Sequence, residues 1–237
     1  MQVVEKPSTK GNVTTEPRPQ TAETDRAEQW LAWAKANQRR LSIVAGVLVV
    51  IAGAVWFGVS AKTRKENFAR RELDAARVAA ESGNLPLAAN DLSRIASTYG
   101  GTRAGQEAVV LLAQVRLLQD QPEIAVNELR EFIAEGPQPH YRGPAYAALG
   151  AALEDLGRFA EAGQAYEEGA RASEYALVAA RFLLDAGRAY MMAVDTAAAL
   201  RIYQQVLKDH SETGAASEAR LRMAELGQYE DEPPRQG

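Results

Sequence analysis

The chain has 237 residues, with 27 Lys and Arg against 31 Asp and Glu, and contains no cysteine. The absence of cysteine excludes disulfides, thiolate metal sites and lipid attachment on cysteine. From Glu72 to Gln228, 14 Lys and Arg stand against 22 Asp and Glu, a net charge of −8. This charge has the wrong sign for a nucleic acid partner. The length beyond the most apolar segment suits one folded domain.

Residues 1–24 are rich in Thr, Pro, Glu, Gln and Lys and have almost no large apolar side chain. We expect this segment to be disordered, because it buries too little surface to offset chain entropy. Residues 25–40, DRAEQWLAWAKANQRR, group Trp30, Leu31 and Trp33 toward one side of a helix. The spacing predicts an amphipathic helix at a membrane interface.

Residues 41–60, LSIVAGVLVVIAGAVWFGVS, include no charge and as a helix would span about 30 Å of hydrocarbon. A cleaved signal peptide is the alternative, since Val59-Ser60-Ala61 resembles a cleavage site. Forty residues precede the run, however, and it exceeds the apolar core of a signal, so we expect an uncleaved transmembrane helix. The residues expected at the membrane interfaces are Trp30, Trp33, Trp56 and Phe57.

The sequence beyond residue 60 repeats every 37 residues without an insertion. Two columns hold small residues and lie twelve positions apart, and two further columns hold mostly larger residues. The columns are Ala76, Ala113, Gly150 and Gly187; Ala88, Ala125, Ala162 and Ala199; Leu92, Leu129, Tyr166 and Tyr203; and Ile95, Phe132, Gly169 and Val206. Small residues at this spacing let two antiparallel helices approach closely, with the bulky residue beside them. The pattern predicts an all-α chain of about four helical hairpins.

Turn signals agree with this division. Breaks at 82–84, 120–122 and 156–158 separate the two helices of a unit. A last helix over 215–226 is expected to cap the open end of the repeats, and the polar segment 229–237 is expected to be disordered. Neither Gly nor Pro stands between Val59 and Ser82, so we expect one helix to continue past residue 60.

The third unit has the motif YxxLGxxL from Tyr146 and GxFxxAxxxY from Gly157. These motifs resemble the tetratricopeptide repeat (TPR), although the other units match less well and the period exceeds the usual 34 residues. The surplus falls in loops between the repeats, where added length is tolerated. The resemblance implies a TPR-like α-solenoid over residues 61–228.

Catalytic and metal-binding patterns are missing from the sequence. His140 and His210 are the only histidines, are 70 residues apart and lack metal-binding spacing. The glycines at 100, 101 and 105 are not followed by Lys-Ser or Lys-Thr, so they indicate a loop rather than a phosphate cradle. Paired acidic residues on amphipathic helices are typical of a solvated face. We therefore expect no enzyme, cofactor, metal or small-molecule substrate.

TPR solenoids bind peptides or partner helices on the concave face formed by the first helix of each hairpin. The residues that the TPR pattern assigns to this face are Arg70, Arg77, Glu107, Gln114, Leu117, Glu154, Arg181, Arg188 and Met191. Their charges are mixed, which favours an apolar or mixed ligand over a charged peptide tail.

The order of the segments from about residue 25 to 228 resembles the YfgM-type ancillary subunit of the bacterial SecYEG translocon. The resemblance rests on architecture rather than on an invariant motif. It implies a non-enzymatic scaffold in the bacterial inner membrane with a periplasmic TPR-like domain. The implied partners are translocon subunits, a membrane-anchored periplasmic chaperone of the PpiD prolyl isomerase kind, and exported clients. Cell-division-coordinator TPR proteins share the repeat type but begin with a cleaved signal.

The charges beside the apolar segment oppose this orientation. Four cations precede it within twenty residues and six follow it. They are Arg26, Lys35, Arg39 and Arg40 before it, and Lys62, Arg64, Lys65, Arg70, Arg71 and Arg77 after it. The positive-inside rule thus favours a cytoplasmic repeat domain, a membrane-tethered adaptor for assembly of another complex. We retain the periplasmic orientation as the main expectation, because three of the preceding cations lie close to the span.

Overall fold

The computed structural model describes residues 21–227, and every regular element in that range is an α-helix. The helices are α1 (Thr21–Ala36), α2 (Gln38–Glu81), α3 (Leu85–Tyr99), α4 (Arg103–Leu118), α5 (Pro122–Ala134), α6 (Pro139–Asp155), α7 (Phe159–Ala172), α8 (Ala176–Met192), α9 (Thr196–Asp209) and α10 (Gly214–Glu225). The chain divides at Ser60 into two compact units. The disorder predicted for 1–24 and 229–237 concerns residues outside the described range, except that α1 already begins at Thr21.

The first unit contains α1 and the beginning of α2. Trp30 and Trp33 are exposed on α1 and meet edge to face, with ring centroids 5.6 Å apart. Polar and apolar side chains are less segregated on α1 than on α3 or α9. One reason is that Arg26 lies one turn before Trp30, on the same side of the helix. The amphipathic character predicted for this segment is therefore weak.

The apolar segment 41–60 lies within α2. Among the helices of residues 21–227, α2 is the one whose length and composition would let it cross a membrane, and none of its apolar stretch is buried. Val49, Val50, Trp56 and Phe57 are each about 70% exposed. A continuous apolar surface of this kind needs an apolar environment or an apolar partner.

The second unit is a series of helical hairpins. The last part of α2 pairs with α3, and then α4 pairs with α5, α6 with α7 and α8 with α9, while α10 packs on α8 and α9. Four hairpins and a final helix are the arrangement predicted from the 37-residue period. The predicted capping helix is α10, and α2 is helical throughout the stretch that lacks Gly and Pro.

The sixteen residues of the four sequence columns are all buried. Where the first column holds Ala the third holds Leu, and where the first holds Gly the third holds Tyr. A Cβ atom added to Gly150 would lie 2.8 Å from the Tyr166 ring, and one added to Gly187 would lie 2.3 Å from the Tyr203 ring. A larger side chain in the third column is therefore matched by a smaller residue in the first column. This compensation keeps the two helices of each hairpin closely packed.

Each hairpin turns at a residue with a left-handed backbone. These residues are Gly83, Asp120, Gly157 and Val194, with φ angles of 81°, 58°, 70° and 60°. They are spaced 37 residues apart and form a fifth column. The sequence reveals three of these turns, whereas the fourth is hidden because valine, a β-branched residue, is disfavoured in this backbone region.

Candidate functional site

Two grooves open between first helices of the hairpins. The first groove lies between α2 and α4, has a volume of about 340 Å³ and has Leu92 of α3 at its base. The second groove lies between α8 and α10 and consists of two adjoining cavities of about 270 and 260 Å³, both in contact with Tyr203 of α9. Leu92 and Tyr203 are 1% and 2% exposed, so both grooves reach the buried core.

The two grooves occupy the same place in the repeat, three periods or 111 residues apart. Arg77 beside the first groove corresponds to Arg188 beside the second, and Leu92 corresponds to Tyr203. The linings differ in one important position, because Leu111 in the first groove corresponds to Arg222 in the second. The same structural position is thus apolar at one end of the repeats and cationic at the other.

The first groove has an apolar interior, with Arg77 and two acidic partners at its edge. The Arg77 guanidinium donates a hydrogen bond to the Glu107 carboxylate of α4 and lies 3.7 Å from the Asp74 carboxylate. Leu111 is partly buried in the wall, while Leu118 is 69% exposed. A groove of this size and composition can accept an apolar side chain from a partner and offer polar contacts at its rim.

The second groove is charged. Arg188 lies 3.3 Å from the Glu154 carboxylate of α6 and 3.4 Å from Asp185. Glu154 also accepts a hydrogen bond of 3.2 Å from the Tyr166 hydroxyl. Burial raises the pKa of Asp185, and burial together with the Glu154 charge raises the pKa of Tyr166. Arg181 is mostly exposed, at 3.9 Å from Asp185, so its charge is available to a partner.

The structure groups most of the residues assigned to the concave face. Arg77 and Gln114 line the first groove, and Arg181, Arg188 and Met191 line the second. Glu107 and Glu154 do so indirectly, through their ion pairs with Arg77 and Arg188. That these residues bind a ligand stays a prediction.

Two of the assigned residues lie elsewhere. Leu117 is partly buried and packs against the core, and Arg70 is exposed beside Phe68 and Arg71 on α2. Leu111 and Leu118 line the first groove but were not assigned from the sequence. Leu111 stands three residues before Gln114 and Leu118 four residues after it, so all three share one helix face. This spacing could have identified both leucines from the sequence.

Groups able to hold a metal ion are not found among residues 21–227, where no cluster of three or more His, Asp or Glu side chains occurs. His140 lies with its Nδ1 atom 3.6 Å from the Glu174 carboxylate and stacks edge to face with Tyr141 and Tyr175. His210 ends α9 and borders a small cavity of about 120 Å³. The two histidines do not share a site.

Comparison with known proteins identifies the fold. No protein-family model and no curated protein matches the sequence. A solved structure of a Podosopora anserina protein with nearly identical TPR-like repeats, of the kinesin light chain type, matches with a TM-score of 0.54. The fold is TPR-like. That structure is 17% identical and the match covers 67% of this chain and 85% of that chain.

A second solved structure, of a substituted form of the same Podosopora anserina protein, matches with 18% identity and a TM-score of 0.54, covering 67% of this chain and 84% of that chain. The prediction of a TPR-like α-solenoid is confirmed by these likenesses and by the hairpins of the second unit. At such identities the likeness concerns the fold alone.

Proposed function

We propose that this protein is a non-enzymatic scaffold whose TPR-like repeats bind other proteins and whose apolar segment 41–60 anchors it in a membrane. The pair of equivalent grooves carries the proposal. An apolar pocket beside Leu118 and a charged one beside Arg181 suit a partner helix or peptide that has apolar and charged residues at different points along its length. A partner could also bind in one groove alone, since the two grooves are lined by different residues.

The anchoring rests on exposed apolar surface. Val49, Trp56 and their neighbours on α2 are unburied over a stretch that would span the hydrocarbon of a bilayer. A bilayer covers such a surface along its whole circumference, whereas a single partner helix covers only one side. Trp30, Trp33, Trp56 and Phe57 would then lie near the two interfaces.

The finer proposal is an ancillary subunit of a bacterial translocon. Its support is the order of the segments, which resembles the YfgM type: an N-terminal helix, one apolar span and then TPR-like repeats. In this proposal the protein lies in the inner membrane with its repeats in the periplasm. There it binds translocon subunits, a membrane-anchored periplasmic chaperone, and exported proteins.

Site-specific crosslinking tests this function. A photoreactive residue at Gln114, in the first groove, is expected to capture translocon subunits or exported proteins in intact cells. The matched control places the same residue at Glu131, an exposed position on α5 outside both grooves. Equal capture from both positions, or none from Gln114 in a correctly folded protein, would contradict the proposed use of the groove.

A second function is favoured by the charge count of six cations after the apolar segment against four before it. It is a membrane-tethered adaptor whose repeats lie in the cytoplasm and assist the assembly of another complex. Protease added to spheroplasts distinguishes the two proposals. It degrades a periplasmic repeat domain and leaves a cytoplasmic one intact.

A further inference from the structure

A cluster of cations lies on α2 immediately after the apolar segment. Between residues 61 and 71 the only acidic residue is Glu66, in a domain that is otherwise strongly acidic. We name this cluster the basic patch; it consists of Lys62, Arg64, Lys65, Arg70 and Arg71. Its first member stands two residues after Ser60 on the same helix.

The one carboxylate in this stretch is already occupied. Glu66 accepts hydrogen bonds from the backbone N–H groups of Arg103 and Ala104, at 2.8 and 3.2 Å, and so caps the N-terminus of α4. The next acidic residues along α2 are also engaged, since Glu72 pairs with Arg94 at 2.7 Å and Asp74 lies beside Arg77. Glu66 and Glu72 are held in these contacts, whereas Asp74 borders the same cleft as Arg70 and Arg71 and offsets part of their charge.

The cations themselves remain available. Within the described residues, no member of the basic patch lies within 4.0 Å of a carboxylate. Arg71 lies over the ring of Phe68 at 5.5 Å and Lys65 over the ring of Tyr99 at 5.9 Å. Such contacts orient a cation without cancelling its charge.

An aromatic residue completes the surface. Phe68 is 48% exposed and lines a shallow cleft together with Arg64, Arg70 and Arg71. Cations on the turns directly after an apolar span lie where lipid phosphates are within reach. The Phe68 ring is itself covered in part by Arg71 and lies 6.2 Å from the Tyr99 ring, so the cations rather than the ring carry the contact with lipid.

We propose that the basic patch binds the phosphodiester groups of acidic phospholipids and that the protein thereby selects an anionic lipid shell around its anchor. The inference rests on the proposed membrane anchoring. Lipid binding would explain the cations after the span in either orientation of the protein. Acidic lipids attract a basic segment in whichever leaflet they occur.

To test the proposal, the full-length protein is inserted into vesicles made of equal amounts of phosphatidylcholine and phosphatidylglycerol. It is then purified from these vesicles. Native mass spectrometry then counts the lipids of each kind that remain bound. The unaltered protein is expected to retain phosphatidylglycerol in excess. The K62Q/R64Q/R70Q variant is expected to lose this preference by about fivefold for each cation removed.

The matched control is R130Q/R158Q/R171Q, which removes the same charge from the hairpins and is expected to leave lipid retention unchanged. An equal effect of the two variants would overturn the proposal, as would displacement of phosphatidylglycerol by excess inorganic phosphate. Flotation with the vesicles is measured in parallel. A protein that inserts but shows no lipid preference rejects the lipid shell alone, whereas a protein that fails to insert rejects the anchoring and the lipid shell together.

Discussion

Gly150 and Tyr166 illustrate how a single side chain sets the distance between two helices. Tyrosine in the third column needs glycine in the first, because a Cβ atom at Gly150 would lie 2.8 Å from the ring. In an exposed helix, replacing glycine by alanine gains about 0.5–1 kcal/mol. At Gly150 the steric overlap between an added Cβ atom and the Tyr166 ring outweighs this gain in helix stability. Real Cβ contacts are not as short as 2.8 Å, and packing prevents the ring from moving away.

We expect Gly150→Ala to lower the free energy of unfolding by about 1–3 kcal/mol, the usual cost of overpacking. Adding Tyr166→Leu recreates the Ala and Leu combination of the first two hairpins and is expected to restore part of the loss. Urea unfolding of the single and double variants measures the coupling. Gly101→Ala is the control, because nothing lies within 4 Å of a Cβ atom there. Strictly additive effects of the two substitutions would contradict this account.

Val194 occupies the left-handed turn position where two other hairpins have glycine. The backbone cost for an L residue is about 1–2 kcal/mol, and the side chain is 86% exposed, so it contributes little packing in return. We expect Val194→Gly to raise the free energy of unfolding by about 1 kcal/mol. The equivalent change Asp120→Gly is expected to gain less, because aspartate tolerates this backbone conformation. Chemical denaturation compares the two, and a loss of stability in the Val194 variant would refute the strain argument.

At the scale of the elements, Glu167 of α7 joins α8 and α9. Its carboxylate accepts hydrogen bonds from the Tyr190 hydroxyl at 2.6 Å and from Arg201 at 2.8 Å. Burial alone would raise the pKa of Glu167, but the hydrogen bonds from Arg201 and Tyr190 outweigh it and hold the pKa below its usual value. The ionised carboxylate therefore stabilises the contact among three helices.

Because the folded-state pKa of Glu167 is lowered, its contribution is present above the unfolded-state pKa of about 4.3 and is lost as the pH falls through the folded-state value. We expect Glu167→Gln to cost about 1–2 kcal/mol at neutral pH and progressively less in acid. Glu168→Gln is the control, since its pair with Arg171 is exposed and spans one helical turn. A difference between Glu167→Gln and the unaltered protein that does not change with pH would exclude the proposed role of the charge.

Much of this architecture could be read from the sequence, because four hairpins in one register make the small and bulky columns visible without coordinates. Other features were hidden for physical reasons. The turn at Val194 has neither Gly nor Pro, although Asp195 after it caps the N-terminus of α9. Residues 21–24 are helical although they lack the apolar spacing of the residues that follow. The ion pair between Arg77 and Glu107 joins two helices thirty residues apart, and only the packing angle of those helices decides whether such residues meet.

At the scale of the whole molecule, each hairpin of the second unit packs on its neighbours, and α10 closes the series. Ala216, Ala219 and Met223 of α10 are buried against the core. Because each hairpin in such a series contacts only its neighbours, the free energy of unfolding is approximately the sum of the stabilities of the hairpins and of their interfaces. The last helix stabilises the hairpin before it by covering its apolar face. The grooves follow the same logic, since each forms where two first helices lie side by side.

We expect a chain ending at Asp209, which lacks α10, to lose amide protection in α8 and α9 while α3 and α4 keep theirs. Hydrogen exchange monitored by mass spectrometry measures the protection helix by helix. A matched truncation after Leu226, which keeps α10, should leave all helices protected. Uniform loss of protection across the four hairpins would show that the repeats unfold as one cooperative unit instead.

The groove linings were less predictable than the hairpins. Leu111 and Arg222 occupy the same position in the repeat, so the periodicity that identifies the fold says nothing about their different chemistry. Partner choice depends on these variable positions and on the side of the membrane where they lie, neither of which follows from packing.

The left-handed turns recur at a constant interval and share one backbone geometry. Removing or duplicating the segment between Gly83 and Asp120 would join two turns of the same backbone conformation and keep the 37-residue period. Insertion or deletion of a 37-residue segment could therefore change the number of hairpins without changing the way each hairpin folds.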